Sequence, residues 1–194
     1  MATEIEIKAW VDDPIQVQNR IGSFATFIKS YEKDDAYWLP DAEIRTLQQT
    51  HRRGPLGSGI RVRQENGTVF VTLKKKEVSE GMEINDELEF SVSSAPVFED
   101  FLHSLGFTPW IRKHKEGKAW RWNNITIELS QVKHLGWFVE LEILADTNET
   151  EQIEQARRDL YACLHKIGIP ESNIEARYYT ELLLERSCLN DCKD

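Results

Sequence analysis

The chain has no apolar run near the roughly 20 residues needed to span a bilayer, and the opening MATEIEIKAW carries no apolar stretch of the kind a secretory leader needs. Cysteine is scarce: Cys163, Cys188 and Cys192 are an odd number without a CxxC pair. A disulfide framework or thiolate zinc site is therefore not expected, and a reducing cytoplasm is. Cys163 reads as a small core residue, the other two as free thiols near the chain end. The five histidines, His51, His103, His114, His134 and His165, do not fall at metal-ligand spacings and read as surface or capping groups. RRGPLGSG, residues 52–59, is glycine-rich but lacks the GxxxxGK[ST] of a P-loop. Positive charge is also short, 24 Lys and Arg against 33 Asp and Glu for a net −9. That excludes a general nucleic-acid binder, which needs a basic surface to displace phosphate counterions. A small anionic ligand stays possible, because the basic residues are clustered.

What is present is an ordinary globular composition over 194 residues, 40% hydrophobic and 29% charged, without repeat or linker. One domain is expected over 1–186, with a short tail at 187–194. A strand at 4–10 precedes a helix capped by Asp12 or Asp13 with Pro14 in its first turn, its apolar spacing running through Ile15, Val17, Ile21, Phe24 and Ile28. Residues 31–39 and 45–51 look extended. Strands at 60–65 and 68–75 flank an Asn66-Gly67 hairpin turn, and another covers 84–92. A helix opens at Pro96 and stops at Gly106. Strands follow at 109–115, 118–122, 125–130 and 137–144, with an Asn123-Asn124 turn. Helices at about 149–167 and around Tyr178, Leu182 and Leu183 close the chain. Many antiparallel strands with few helices predict an α+β fold dominated by a curved sheet or barrel.

Strand parity carries the functional argument. Glu4, Glu6 and Lys8 share one face of their strand, Ile5 and Ile7 the other. The same alternation sets Arg61 and Arg63 against Ile60 and Val62, and Thr72, Lys74 and Lys76 against Val71 and Leu73. Glu87 and Glu89 oppose Leu88 and Phe90, Lys113 and Lys115 are in step, Thr126, Glu128 and Ser130 oppose Ile125, Ile127 and Leu129, and Glu140 and Glu142 oppose Val139, Leu141 and Ile143. A solvated face is the ordinary meaning of a charge stripe. Here, however, the charges are matched by sign within each strand, and like charges about 7 Å apart repel. The pattern predicts apolar faces outward under helices and charged faces inward around an enclosed cavity, where a bound group offsets the repulsion. Guanidinium and ammonium groups in number call for a polyanion with phosphate oxygens. Carboxylates beside it call for Mg²⁺ or Mn²⁺, hard cations that take oxygen ligands from protein and phosphate together.

These residues resemble the CYTH family. EIEIK at 4–8 is similar to its ExExK signature, and DAY at 35–37, IRVR at 60–63, TLK at 72–74, ELE at 87–89, LGWFVELE at 135–142 and RYYTELL at 177–183 follow in order over nearly the whole chain. The resemblance implies the triphosphate tunnel fold, an eight-stranded antiparallel barrel with a charged interior, and divalent-metal chemistry on a triphosphate. It implies catalytic roles for Glu4, Glu6 and Lys8, and substrate contacts from Arg61, Arg63, Lys74, Lys76, Lys113, Lys115, Glu87 and Glu89. It implies metal ligation by Glu4, Glu6, Glu140 and Glu142, with Glu128 a substitute for a missing aspartate: LSQVKHLG has Ser130 where the family pattern LDxVxxLG has Asp. Gly117 likewise stands where the family places arginine two residues after a lysine, leaving Lys118 the nearest cation. Tyr37 and Tyr179 match family positions. The partner implied is a small triphosphate, ATP, tripolyphosphate or thiamine triphosphate, with no nucleic acid and no membrane; a homodimer fits the fold. Adenylyl cyclase is the activity favoured over triphosphatase, because EIEIK lacks the EIERK form of the tripolyphosphatases. Non-catalytic polyphosphate binding is the third reading, suggested by Ser130 and Gly117. Trp120 and Trp122 are expected to cover the barrel wall, and RRGPLGSG to form a flap at the tunnel mouth.

Overall fold

The computed structural model describes residues 3–50, 59–79, 82–145 and 150–191, with positions 3, 48–50, 74–79, 82–87, 150 and 187–191 described as backbone only. Eight antiparallel strands close into a barrel: β1 (Thr3–Trp10), β2 (Thr26–Pro40), β3 (Ile60–Glu65), β4 (Thr68–Ser79), β5 (Met82–Val92), β6 (Phe107–Trp122), β7 (Ile125–Val132) and β8 (Gly136–Ala145). The order around the barrel is β1-β5-β4-β3-β2-β6-β7-β8. The last strand closes on the first through a ladder that sets Ile5 opposite Ile143, Glu6 opposite Glu142 and Lys8 opposite Glu140. Closure removes exposed edges. Hairpin turns take the left-handed backbone at Asn66, Gly67 and Asn123, as their Asn and Gly content requires.

Parity places the apolar faces outward. Ile5 and Ile7 of β1, Ile127 of β7 and Leu141 of β8 are fully buried under α4 (Thr150–Lys166) and α1 (Pro14–Gly22), with Trp120 in the same core. Burying each aliphatic side chain contributes about 1.5–3 kcal/mol. α3 (Ala95–Ser104) covers Trp38, Ala36 and Val62 in a second core. The third core lies at one barrel end, where Tyr179 and Leu182 of α5 (Tyr179–Asp191) pack on Phe138 and Val132, with Trp10 against them. Cys163 is fully buried, and burial pushes its thiol up to about 12, consistent with a packing role. The side chain of Cys188, Cys192 and loop residues 52–58 lie outside the described residues. No helix among the described residues is long and apolar enough to cross a membrane.

Three sequence expectations are corrected. α1 does not run on to Ile28: the Ser23 hydroxyl and N–H both bond to Arg20 O, at 2.7 and 3.1 Å, and close the helix. Phe24 then packs edge-on against Trp122 at 5.2 Å, and Ile28 belongs to β2. Residues 45–50 are helical rather than extended, within α2 (Asp41–Thr50). Asp41 and Glu43 sit in its first turn, where the helix dipole favours acid, and His51 lies outside the described residues.

The third correction is that β6 is continuous where two strands were expected at 109–115 and 118–122. Gly117 faces Ser130 across the β6–β7 ladder, so the two departures from the family pattern are cross-strand partners. A Cβ on Gly117 would lie 2.5 Å from Leu129 O and 2.7 Å from Ser130 Cβ. Gly117→Ala is therefore expected to lower stability by about 1–3 kcal/mol through overpacking, read as a lower urea midpoint. An unchanged midpoint would show that the strands part without cost.

A charged tunnel as the candidate active site

The inward faces enclose a cavity of about 270 Å³ bordered by Glu4, Glu6 and Lys8 of β1, Arg61 and Arg63 of β3, Glu89 of β5, Lys113 and Lys115 of β6, Glu128 of β7, and Glu140 and Glu142 of β8. Every candidate site residue whose side chain is described thus borders one space. Lys74 lies opposite Glu87 and Lys76 opposite Asn85 in the β4–β5 ladder; the side chains of Lys74, Lys76 and Glu87 lie outside the described residues. The cation beyond Lys115 is not Lys118, which donates to Gln18 Oε1 at 2.8 Å, outside the cavity lining. Lys113, two residues before Lys115, is the neighbouring cation on the tunnel wall.

The like-sign pairs within strands are offset by opposite charges from other strands. Asp35, on β2, is fully buried and accepts a fork from Arg63, Nε to Oδ1 at 2.7 Å and Nη2 to Oδ2 at 2.9 Å, with Lys113 Nζ at 3.0 Å. Burial alone would raise its pKa, but Lys113 and the Arg63 fork hold it well below the carboxylate range. Glu128 accepts from Lys33 Nζ at 2.7 and 3.0 Å, Tyr31 Oη at 2.9 Å and Lys115 Nζ at 3.0 Å. Glu140 accepts from Lys115 Nζ at 2.8 and 2.9 Å and from Tyr179 Oη at 2.7 Å. Burial opposes its ionisation, yet the Lys115 ammonium holds its pKa at about 2. Lys115, 2% exposed, keeps its proton because Glu128 and Glu140 overcome its desolvation. Burial, then the Lys115 charge, lower Lys33 to about 8.

β2 supplies the residues that sequence parity missed. Tyr31, Lys33 and Asp35 alternate with the outward Ala36 and Trp38, but the run Glu32-Lys33-Asp34-Asp35 puts charge on both faces and hides the period. Ala36 and Trp38 were the available signal. On the outer side of the same strand, Asp34 pairs in register with His114, and Asp34 Oδ1 lies 2.8 Å from His114 Nδ1. Glu32, Asp34 and His114 bring donor atoms within 4.8 Å of one another, the one such trio among the described residues. Only the ladder shows it, since Asp34 and His114 are far apart in sequence.

The tunnel glutamates fit a hard divalent cation. Glu140 is ionised at neutral pH, and Glu6 stands opposite Glu142 in the closing ladder, where like charges repel and a dication would offset the repulsion. They do not converge as a trio within 4.8 Å. That suits Mg²⁺, which binds through one or two carboxylates together with substrate phosphate. The tunnel also fits an anion: Arg61 donates to Thr72 Oγ1 at 3.1 Å while its buried Nε has no partner.

A family model described as the CYTH domain matches residues 2–179. A relative from Methanocaldococcus jannaschii, by name a candidate adenylate cyclase, is 27% identical over 184 residues, covering 92% of this chain and 97% of its own. Among solved structures, a Pyrococcus horikoshii protein superposes with a TM-score of 0.77 at 25% identity, covering 92% of this chain and 98% of its own. A Hippeastrum protein described as a candidate adenylyl cyclase with a dominant triphosphatase activity has a TM-score of 0.63 at 17% identity, covering 97% of this chain and 96% of its own.

Proposed function

Since the chain belongs to the CYTH domain family, we propose that it is a divalent-metal-dependent enzyme acting on a triphosphate, with ATP to cyclic AMP and pyrophosphate as the reaction. The observation that carries this reading is the mixed lining of one tunnel: buried Lys8, Lys33, Lys113 and Lys115 with Arg61 and Arg63, beside the carboxylates Glu4, Glu6, Glu140 and Glu142. The cyclase is favoured over hydrolysis by the full-length M. jannaschii relative's name. The triphosphatase activity named for the Hippeastrum protein supports terminal hydrolysis as the second reading.

In the cyclase reaction the ATP 3′-hydroxyl oxygen attacks the α-phosphorus, its proton passes to water, and the bond from the α-phosphorus to the oxygen bridging the β-phosphate breaks to release pyrophosphate. Catalysis of such a transfer is chiefly positioning and charge stabilisation. Arg61 and Arg63 grip non-bridging oxygens, Arg63 aimed by Asp35. Lys113 and Lys115 add ammonium charge, Lys115 aimed by Glu128 and Glu140. Lys8, 3% exposed with Nζ 4.7 Å from the centre of the Tyr179 ring, neutralises charge developing on the leaving group. Glu4, Glu6, Glu140 and Glu142 would hold Mg²⁺ or Mn²⁺, which when bound would supply Lewis-acid charge neutralisation. Glu128, filled by Tyr31, Lys33 and Lys115, positions the lysines.

The test is a product assay with ATP, tripolyphosphate and thiamine triphosphate, each with Mg²⁺ and with Mn²⁺. Cyclic AMP plus pyrophosphate is the expected result. Orthophosphate without cyclic AMP would move the chain to the phosphohydrolases. Tight binding without turnover would make it a polyphosphate binder.

A further inference from the structure

We infer that the first turn of α5, with the Thr180 hydroxyl, is a phosphoryl-oxygen subsite at the tunnel mouth; this rests on the triphosphate reading above. The helix spans 13 residues and starts beside the cavity, which Tyr178, Tyr179 and Thr180 border. Tyr178 O accepts from Glu181 N at 3.0 Å and Leu182 N at 3.1 Å, while the Glu181 carboxylate turns back to accept the Tyr178 N–H at 2.9 Å. The N–H groups of Tyr179 and Thr180 therefore sit in the first turn, where no intrahelical carbonyl is available and the helix dipole is positive.

Thr180 supplies the independent observation. It is 3% exposed, it borders the cavity, and its Oγ1 has no hydrogen-bond partner. Buried hydroxyls are nearly always bonded, because an unmet one loses its hydration without replacement. Rotation of the Thr180 side chain about χ1, which breaks no hydrogen bond, would present this hydroxyl with the adjacent N–H groups to an acceptor in the cavity, the arrangement with which helix starts bind phosphate. Two cations stand over the side chain of the helix's first residue: Lys8 Nζ and Lys113 Nζ each lie 4.7 Å from the centre of the Tyr179 ring. Tyr179 itself donates to Glu140, so its hydroxyl is spent on positioning and Thr180 provides the side-chain donor. Donors of this number suit a phosphoryl group rather than a carboxylate.

The experiment compares the full chain with Thr180→Val and Thr180→Ser, measuring tripolyphosphate binding by calorimetry with Mg²⁺ and thermal midpoints without ligand. Thr180→Val keeps the shape and is expected to weaken tripolyphosphate binding about tenfold or more, as losing a hydrogen bond to a charged partner does. Its ligand-free midpoint should be unchanged or higher, because the deleted hydroxyl was unsatisfied. Thr180→Ser should restore binding. Wild-type affinity in Thr180→Val overturns the subsite and leaves the tunnel reading standing, as does a midpoint that falls in step with binding. Failure of the wild type to bind tripolyphosphate overturns the tunnel reading, and the subsite with it.

Discussion

Asp35→Asn is expected to destabilise the protein by about 3–5 kcal/mol, the cost of removing one partner from a buried ion cluster. The carboxylate is fully buried and is the shared counterion of Arg63 and Lys113. An amide of the same shape offers one acceptor instead of two charged ones, and leaves two cations facing each other in the barrel wall. Activity should fall with it, because Arg63 is aimed across the tunnel by this fork. The pH dependence separates the charge effect from packing. Asp35 has its native pKa lowered, so its stabilisation is fully present above the ordinary carboxylate pKa of about 3.9 and is lost as pH falls through the native value. The gap between wild type and Asp35→Asn in urea unfolding should be largest near neutrality and shrink in acid below that pKa. A gap that is constant with pH, or smaller than about 1 kcal/mol, would show the cluster adds little beyond its volume.

Glu140→Gln is expected to lower kcat by about 100-fold or more, the scale of losing one preorganised charge at a reacting centre, and to raise the metal concentration for half-maximal activity. Glu140 is kept ionised by Lys115 and takes the Tyr179 hydroxyl, so the change removes a proposed metal ligand and loosens the helix start that borders the tunnel. Glu128→Gln is the internal comparison. Glu128 takes two ammonium groups and the Tyr31 hydroxyl, where Glu140 takes one ammonium and one hydroxyl, so that variant should lose kcat while keeping the wild-type metal dependence. Equal metal shifts in both variants would make Glu128 a ligand, as the missing aspartate at Ser130 suggested. No shift in either would place the metal elsewhere in the tunnel.

The departures at Gly117 and Ser130 look like two separate losses when read along the chain. The β6–β7 ladder makes them one feature, since they face each other at a spacing that a single Cβ would fill. On the proposed function, the metal and phosphate roles they put in question fall to residues that line the same cavity, Lys113 on β6 and the carboxylates of β1 and β8. β2 shows the opposite case. Its inward Lys33 and Asp35 carry as much of the ion network as any signature residue, yet flanking charges on the outer face concealed their period.

Outside β2, which residues of a strand share a face was determined by the sequence alone, because alternation is a property of the local backbone pleat and needs no distant partner. The charged interior and the outward apolar cover follow from that period. Who pairs with whom was decided only by the tertiary structure. Lys115 meets Glu140, Arg63 meets Asp35 and α5 reaches the tunnel mouth through barrel closure, strand order and register, which are set by contacts between segments far apart in the chain. The same holds for the unmet Thr180 hydroxyl: its burial depends on what packs around the helix start, and no spacing within RYYTELL carries that information.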